Sequence, residues 1–240
     1  MTADPLRFFA TPPHACSYLH DRDAITVYVD PAFSKSPAVY TTLSRHGFRR
    51  SGEQIYVPKC SNCSACVPVR VPVNEFRPRR SHRRTVARNQ DITVTGSRAH
   101  FADEHYDLYE RYVSARHPGG GMDNPTPDDY QQFLTSSWCE TEFFEFRANG
   151  KLVAVAVTDR LHDSFSAVYT FFEPSLASRS LGSFAILWQI DAARQAGLEW
   201  LYLGYWVAGS SKMSYKIDYQ PQEQFIDGQW SRRRHTNEPV

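Results

Sequence analysis

Apolar positions along the chain change period several times, and each change marks a different kind of structure. From Phe101 to Arg116 they fall on Phe101, His105, Leu108, Tyr109, Tyr112 and Val113, a helical spacing that Pro118-Gly119-Gly120-Gly121 ends. Thr126 then offers a cap, Pro127 a first-turn proline and Asp128 and Asp129 early acid for a second helix carrying Tyr130, Phe133, Leu134 and Trp138. Beyond Trp138 the period drops to two. Glu142 to Arg147, a tight turn at Asn149-Gly150, Lys151 to Thr158, and Ser164 to Phe172 read as an antiparallel meander. A helix from Leu181 to Gln195, closed by Gly197, leads to a strand Trp200 to Leu203 and a last aromatic strand Gln224 to Ile226.

The first hundred residues are less regular. Ile25 to Val29 reads as a strand, and a short helix runs from a Ser36-Pro37 start to a Gly47 stop. Phe48 to Arg50 and Gln54 to Val57 are strand material, and Val67 to Val73, interrupted by Pro68 and Pro72, reads as an irregular or edge strand. Residues 74–96, basic and polar, read as a surface strand or connector. The expected organisation is α+β: a small cysteine-bearing module over residues 1–98, then a larger domain over residues 99–240. In that second part the order helix, helix, three antiparallel strands, helix, strand resembles the GCN5-related acyltransferase fold. The turn before its central helix, Arg179 to Phe184, keeps an arginine and one glycine of the coenzyme A loop of that superfamily, but places Phe184 where a small residue belongs, which argues against coenzyme A.

Composition narrows the class without naming it. With 240 residues, 41% hydrophobic and 14% aromatic, the chain can bury a sizeable core, so bulk disorder and coiled coil are excluded. Its longest aliphatic stretch, Leu152 to Val157, is far short of the roughly 20 residues that cross a bilayer. A soluble, cytoplasmic protein with no membrane partner is expected. The net charge of +1 conceals a division: residues 45–98 hold 12 basic and three acidic side chains, and the rest of the chain is correspondingly negative. Nearly all of the 12 are arginine, whose planar fork suits phosphate. The alternative is a solvated basic surface.

Cys16, Cys60, Cys63 and Cys66 make up a four-thiolate set for zinc or an iron-sulfur cluster, with redox thiols or plain structural thiols as the alternatives. Cys139 reads as a core thiol beside Trp138. Five cysteines, three of them at C-x-x-C-x-x-C spacing, fit a reducing compartment better than a disulfide framework.

Several motifs then recur in order. Cys16-Ser17-Tyr18-Leu19, Gly47-Phe48-Arg49-Arg50-Ser51-Gly52, Tyr56 through Arg70, Phe76-Arg77-Pro78, Leu201 through Trp206 and Lys212-Met213-Ser214-Tyr215-Lys216 resemble the bacterial aminoacyl-tRNA-protein transferases. Among these the aspartate/glutamate leucyltransferases, relatives of the eukaryotic arginyltransferases, are most alike. The resemblance implies transfer of an amino acid, leucine or alternatively arginine, from charged tRNA to the N-terminal amine of proteins beginning with Asp or Glu, in the N-end rule degradation pathway. The expected partners are therefore leucyl-tRNA and such proteins, with no DNA.

An aminoacyl ester is already activated, so direct aminolysis needs positioning and an oxyanion acceptor and no cofactor. Tyr205, Tyr215 and Lys212 are the expected catalytic positions. Lys212, Lys216, Arg179 and Trp206 are expected to bind substrate, the cations selecting an acidic first residue. Arg70, Arg77, Arg79, Arg80, Arg83 and Arg84 are expected to grip tRNA phosphates, and the terminal run Arg232-Arg233-Arg234 either extends that patch or frays. The competing reading is a nucleic-acid-binding metal module fused to a noncatalytic or acyl-coenzyme A-using domain.

Overall fold

Capping chemistry and glycines set many of the element boundaries in the computed structural model, which describes residues 5–116, 118–119 and 123–232. Gly120 and Gly121 of the glycine loop, and Arg233 and Arg234 of the terminal run, lie outside the described residues. The N-terminal part comprises β1 (Phe8–Ala10), β2 (His14–Ala15), β3 (Asp23–Ala24), β4 (Thr26–Val29), α1 (Pro37–Arg45), β5 (Arg49–Ser51) and β6 (Gln54–Pro58). Strands β1, β4, β6 and β5 form an antiparallel sheet in that order, and β2 and β3 a short ribbon. At the start of α1 the Ser36 hydroxyl accepts from the Val39 N-H at 3.3 Å. Gly47, at φ +84°, turns the chain into β5.

The remainder builds one larger sheet. In chain order come β7 (Cys66–Pro72), α2 (Arg80–Arg88), β8 (Ile92–Arg98), α3 (Asp103–Arg116), α4 (Pro127–Leu134), β9 (Thr141–Ala148), β10 (Lys151–Arg160), β11 (Ser164–Phe172), α5 (Leu181–Gln195), β12 (Trp200–Val207), β13 (Glu223–Ile226) and β14 (Gln229–Arg232). The sheet order is β14-β13-β7-β12-β11-β10-β9-β8. Only β11 and β12 are parallel, as the crossover through α5 demands. Thus β7 and β8, both before residue 99, share a sheet with β9 to β12.

Two sequence expectations change here. Strand β7 is interior: β13 pairs with it only at Val69 and Arg70, between the two prolines, where the backbone keeps its donors. Residues 74–96 hold a helix, α2, followed by the start of β8. The helix was hidden because four of its nine residues are arginine and only His82 is buried. His82 stacks between Phe76, at 5.6 Å and 28°, and Tyr219, at 5.3 Å and 8°.

The large sheet buries both faces. Helix α5 covers one, packing Phe184, Ile186 and Ile190 against Phe146, Phe165 and Leu201. Helices α3 and α4 cover the other with Leu108, Val113, Tyr130 and Leu134 over Phe143, Val155 and Phe171. Each fully buried ring or branched side chain of this kind contributes about 1.5–3 kcal/mol. A third cluster, with Val29, Tyr40, Ile55, Leu161 and Tyr202, joins the N-terminal sheet to the large one. Trp138 lies beyond the end of α4 and packs edge-on against Tyr40 at 5.6 Å. Among the described residues no helix is long and apolar enough to cross a membrane.

Candidate active site between the splayed strands

Parallel pairing of β11 with β12 stops after Ser166 and Tyr202, although the strands continue to Phe172 and Val207. The wedge this leaves would expose β11 carbonyls. Arg49, projecting from β5, fills its base: Nη2 donates to the carbonyls of Ala167 at 2.7 Å and Val168 at 3.3 Å. Close approach requires a glycine on the facing strand. Gly204 sits at φ +78°, and a Cβ there would lie 1.7 Å from Arg49 Nη1. Two motifs far apart in sequence, Gly47 to Gly52 and Leu201 to Trp206, therefore meet through one guanidinium.

Lys216 is the second cation of the wedge. It belongs to a 3-10 turn, Ser214–Asp218, and is 4% exposed. Its Nζ donates to the Tyr205 carbonyl at 2.7 Å. Burial, and next the neighbouring Arg49, hold its pKa well below the ordinary lysine value, with Cys66 pulling weakly the other way. Lys212 stands outside this turn on the surface, so the two lysines expected to bind substrate lie in different surroundings. Tyr205 is 1% exposed and its hydroxyl donates to the carbonyls of Gly47 at 3.0 Å and Tyr56 at 3.4 Å. Those bonds tie β12 to the N-terminal sheet, and burial raises the phenol well above its usual range, so a structural donor stands where a catalytic group was expected.

Tyr215, in contrast, is 42% exposed. Burial of the phenol nonetheless pushes it up to about 12, with Arg49 opposing. Tyr112 and Arg116 of α3 also act on it. Tyr112 packs on Phe172 at 4.8 Å, and Phe172 in turn lies where a side chain on Gly182 would press at 3.0 Å. The Tyr169 hydroxyl is buried without a partner among the described residues. Tyr215 was expected at the site from the sequence, whereas Tyr112, Tyr169 and Phe172 were not, because they come from α3 and β11. Trp206 is half-buried against the α5 core.

Arg179 serves elsewhere. Its Nε donates to Asn89 Oδ1 at 2.9 Å and its fork pairs with Asp91, so it clamps the turn before α5 to α2 and β8 and does not face the wedge. Arg70 is a similar correction: 8% exposed, it is sandwiched between Trp200 and Trp230, at 4.1 and 4.3 Å, and ion-paired to Glu223 at 2.7 Å. A phosphate cannot reach it. Arg77, Arg79, Arg80, Arg83 and Arg84 remain on the surface. Arg79 pairs with Asp218 at 2.7 Å, and Arg88 bonds the Ser178 carbonyl. The basic helix is thereby tied to the turn that carries Lys216 and to the turn that precedes α5.

The four clustered cysteines are half-buried free thiols. Burial pushes the Cys66 thiol up to about 12, and Cys16, Cys60 and Cys63 each add to the rise. The Ile25 N-H donates to Cys60 Sγ at 3.4 Å. The four thiols are soft donors of the right kind for zinc or iron and sulfur. Among the described residues, however, no three cysteine, histidine or acidic side chains converge closely enough to hold an ion. Cys139 is buried beside Thr141 and Asp159, as a core thiol.

The family model for the arginine-tRNA-protein transferase N terminus matches residues 14–84, and that for its C terminus matches residues 104–226. An aspartate/glutamate leucyltransferase from Alcanivorax borkumensis is 51% identical over 97% of this chain and 96% of its own length. One from Hahella chejuensis is 51% identical over 94% and 96%. Among solved structures, L-PGS from Bacillus licheniformis is 11% identical and covers 62% of this chain and 49% of its own, at a TM-score of 0.48.

Proposed function

The chain belongs to the arginine-tRNA-protein transferase family, and on that premise we propose that it carries leucine from leucyl-tRNA to the α-amine of proteins beginning with Asp or Glu. The observation that carries this reading is the near full-length identity of about half with the aspartate/glutamate leucyltransferases. In the transfer, the neutral amine attacks the ester carbonyl, and the bond to the ribose oxygen of the terminal adenosine breaks as the amide bond forms. One proton passes from the amine to that oxygen. The amine has a reference pKa near 7.7, so a useful fraction is neutral without a dedicated base. The enzyme contributes position and charge.

The wedge supports each requirement. The surface arginines of α2 lie on a helix tied to it and suit the phosphates of an A-form acceptor arm, which is gripped by backbone and shape. Helix α5 begins at its edge, and the first-turn N-H groups suit the developing oxyanion. Tyr112, Tyr169, Phe172 and Tyr215 suit the apolar side chain of the transferred residue. Arg49, Lys216 and Arg116 around them disfavour a cationic arginine there. Phe184, 8% exposed in the core against Phe146, and the engaged Arg179 speak against an acyl-coenzyme A loop. The three-strand meander, α5 and parallel β12 support a GCN5-related arrangement in residues 99–240, whose sheet is completed by β7 and β8 from the first 98 residues, with the basic helix α2 between those strands as the donor-gripping part, at work in the cytoplasm on the N-end rule pathway.

The test is incubation with leucyl-tRNA and arginyl-tRNA separately, using peptides that begin with Asp, Glu, Lys or Arg. Leucine should join the acidic peptides only. Incorporation of arginine alone would reassign the donor, and incorporation of neither would remove the reading.

A further inference from the structure

The Arg49 guanidinium lies close enough to Lys216 to help depress its pKa, yet neither side chain forms an ion pair among the described residues. The neighbours that act most strongly on Arg49 are the phenols of Tyr56, Tyr40, Tyr205 and Tyr18, uncharged at neutral pH. Lys216 has Arg49 and Cys66 beside it and no carboxylate. Buried charges are ordinarily paired, because an unpaired one carries its desolvation penalty uncompensated. Both cations also hold donors in reserve. Among the described residues Arg49 donates only through Nη2, so Nε and Nη1 have no acceptor there, and the residue is only partly buried. Lys216 Nζ carries three hydrogens and meets one acceptor.

We propose that Arg49, reinforced by Lys216 behind it, receives the side-chain carboxylate of the acceptor protein's first residue. The inference rests on the transferase reading and deepens it by naming the residues that choose the substrate. The carboxylate accepts from Arg49 Nη1 and supplies the missing negative charge. The α-amine one residue unit away then points into the wedge, beside the aromatic wall. Asn or Gln in the same place offers no charge and leaves both cations unpaired, so the site rejects them by leaving the penalty standing. Tyr205 and Gly204 position the pair: one by its backbone carbonyl, the other by making room.

The experiment compares peptides beginning with Asp and Asn in two ways: kcat/KM for leucine transfer at saturating leucyl-tRNA, and calorimetric binding without tRNA. The wild type should favour Asp by about 100-fold or more. In Lys216→Met, which keeps the stem and removes the ammonium, that preference should shrink at least tenfold, the loss of kcat/KM on Asp exceeding the loss on Asn. Arg49→Lys, which keeps a charge and loses the fork, should raise KM for Asp more than it lowers kcat. Because Arg49 also holds β11, its circular dichroism and melting are compared with wild type, and Lys216→Met is decisive if it melts early. Equal losses on Asp and Asn, or an undiminished preference, would overturn the proposal. A wild type that binds Asp peptides selectively but transfers leucine to none would sink the transferase reading and leave the receptor standing.

Discussion

Arg49 and Arg50 are neighbours on β5 and point to opposite faces, as successive strand residues must. Arg50 is fully enclosed and makes a two-pronged pair with Asp159, at 2.8 and 2.7 Å. Its other donors reach the carbonyls of Gly52, Leu134 and Thr135 and the hydroxyl of Thr141. Arg49 meets two carbonyls and no carboxylate. The same side chain thus occurs once as a completed structural joint and once as an open charge. A completed joint resists change because removing one partner strands the other. An open charge destabilises the free protein and is compensated only when a ligand arrives.

The largest effect should follow from breaking the completed joint. Asp159→Asn leaves Arg50 buried without a counterion and should destabilise the fold by about 3–5 kcal/mol, read as a fall in the urea midpoint. Asp159 also accepts from Thr141 at 2.7 Å, so the joint spans β5, β9 and β10. A loss below about 1 kcal/mol would mean that the two arginines are not the opposites their partners imply.

Next is Gly204→Ala, which strikes the open charge from the side. Both the positive φ and the 1.7 Å approach to Arg49 oppose a methyl group. A destabilisation of about 2–3 kcal/mol is expected, together with a weaker preference for Asp over Asn peptides as Arg49 is displaced. Unchanged selectivity in a folded variant would place the receptor elsewhere.

Lys216→Met should act in the opposite direction. Its folded-state pKa lies below the reference 10.5, so between the two values the unfolded chain binds more protons and stability rises with pH. Below that window the penalty is present in full. The substitution should therefore raise stability at neutral pH by about 1–2 kcal/mol and abolish the alkaline rise, while costing acid selection. A destabilised variant with an unaltered pH profile would contradict an uncompensated charge at this site.

The two arginines also mark what the sequence could and could not reveal. Helices with side-chain caps were legible: Thr126 and Asp129 bond each other's backbone N-H at 3.1 and 2.9 Å, as the Thr-Pro-Asp-Asp run suggests. So was the meander, whose alternation follows from sheet geometry, and so were the glycine and tyrosine motifs that meet at the wedge. The distinction between Arg49 and Arg50 was not. Asp159 lies 109 positions from Arg50, and no local pattern connects them. Arg70 misled for the same reason, since Glu223 and its two tryptophans are distant in sequence. Lys212 and Lys216 were read as a pair because spacing is visible and burial is not.

The smallest effect on stability should come from the surface arginines of α2, and that contrast separates them from Arg49 and Arg50. Arg80, Arg83 and Arg84 are exposed, and none of them forms an ion pair among the described residues. Arg83 bonds the Pro78 carbonyl at 2.7 Å, an exposed contact that adds little. Replacing all three with Gln should change the unfolding free energy by less than about 0.5 kcal/mol per site. Leucyl-tRNA binding should weaken, and the slope of log affinity against log salt should become shallower by about 2 to 3, because each lost phosphate contact releases fewer counterions. The preference for Asp over Asn peptides should stay intact, since the carboxylate receptor lies in the wedge. If the triple variant kept its salt slope but lost acid selection, the basic helix would act on the acceptor, and the separation of a surface grip for tRNA from a buried receptor for the protein would fail.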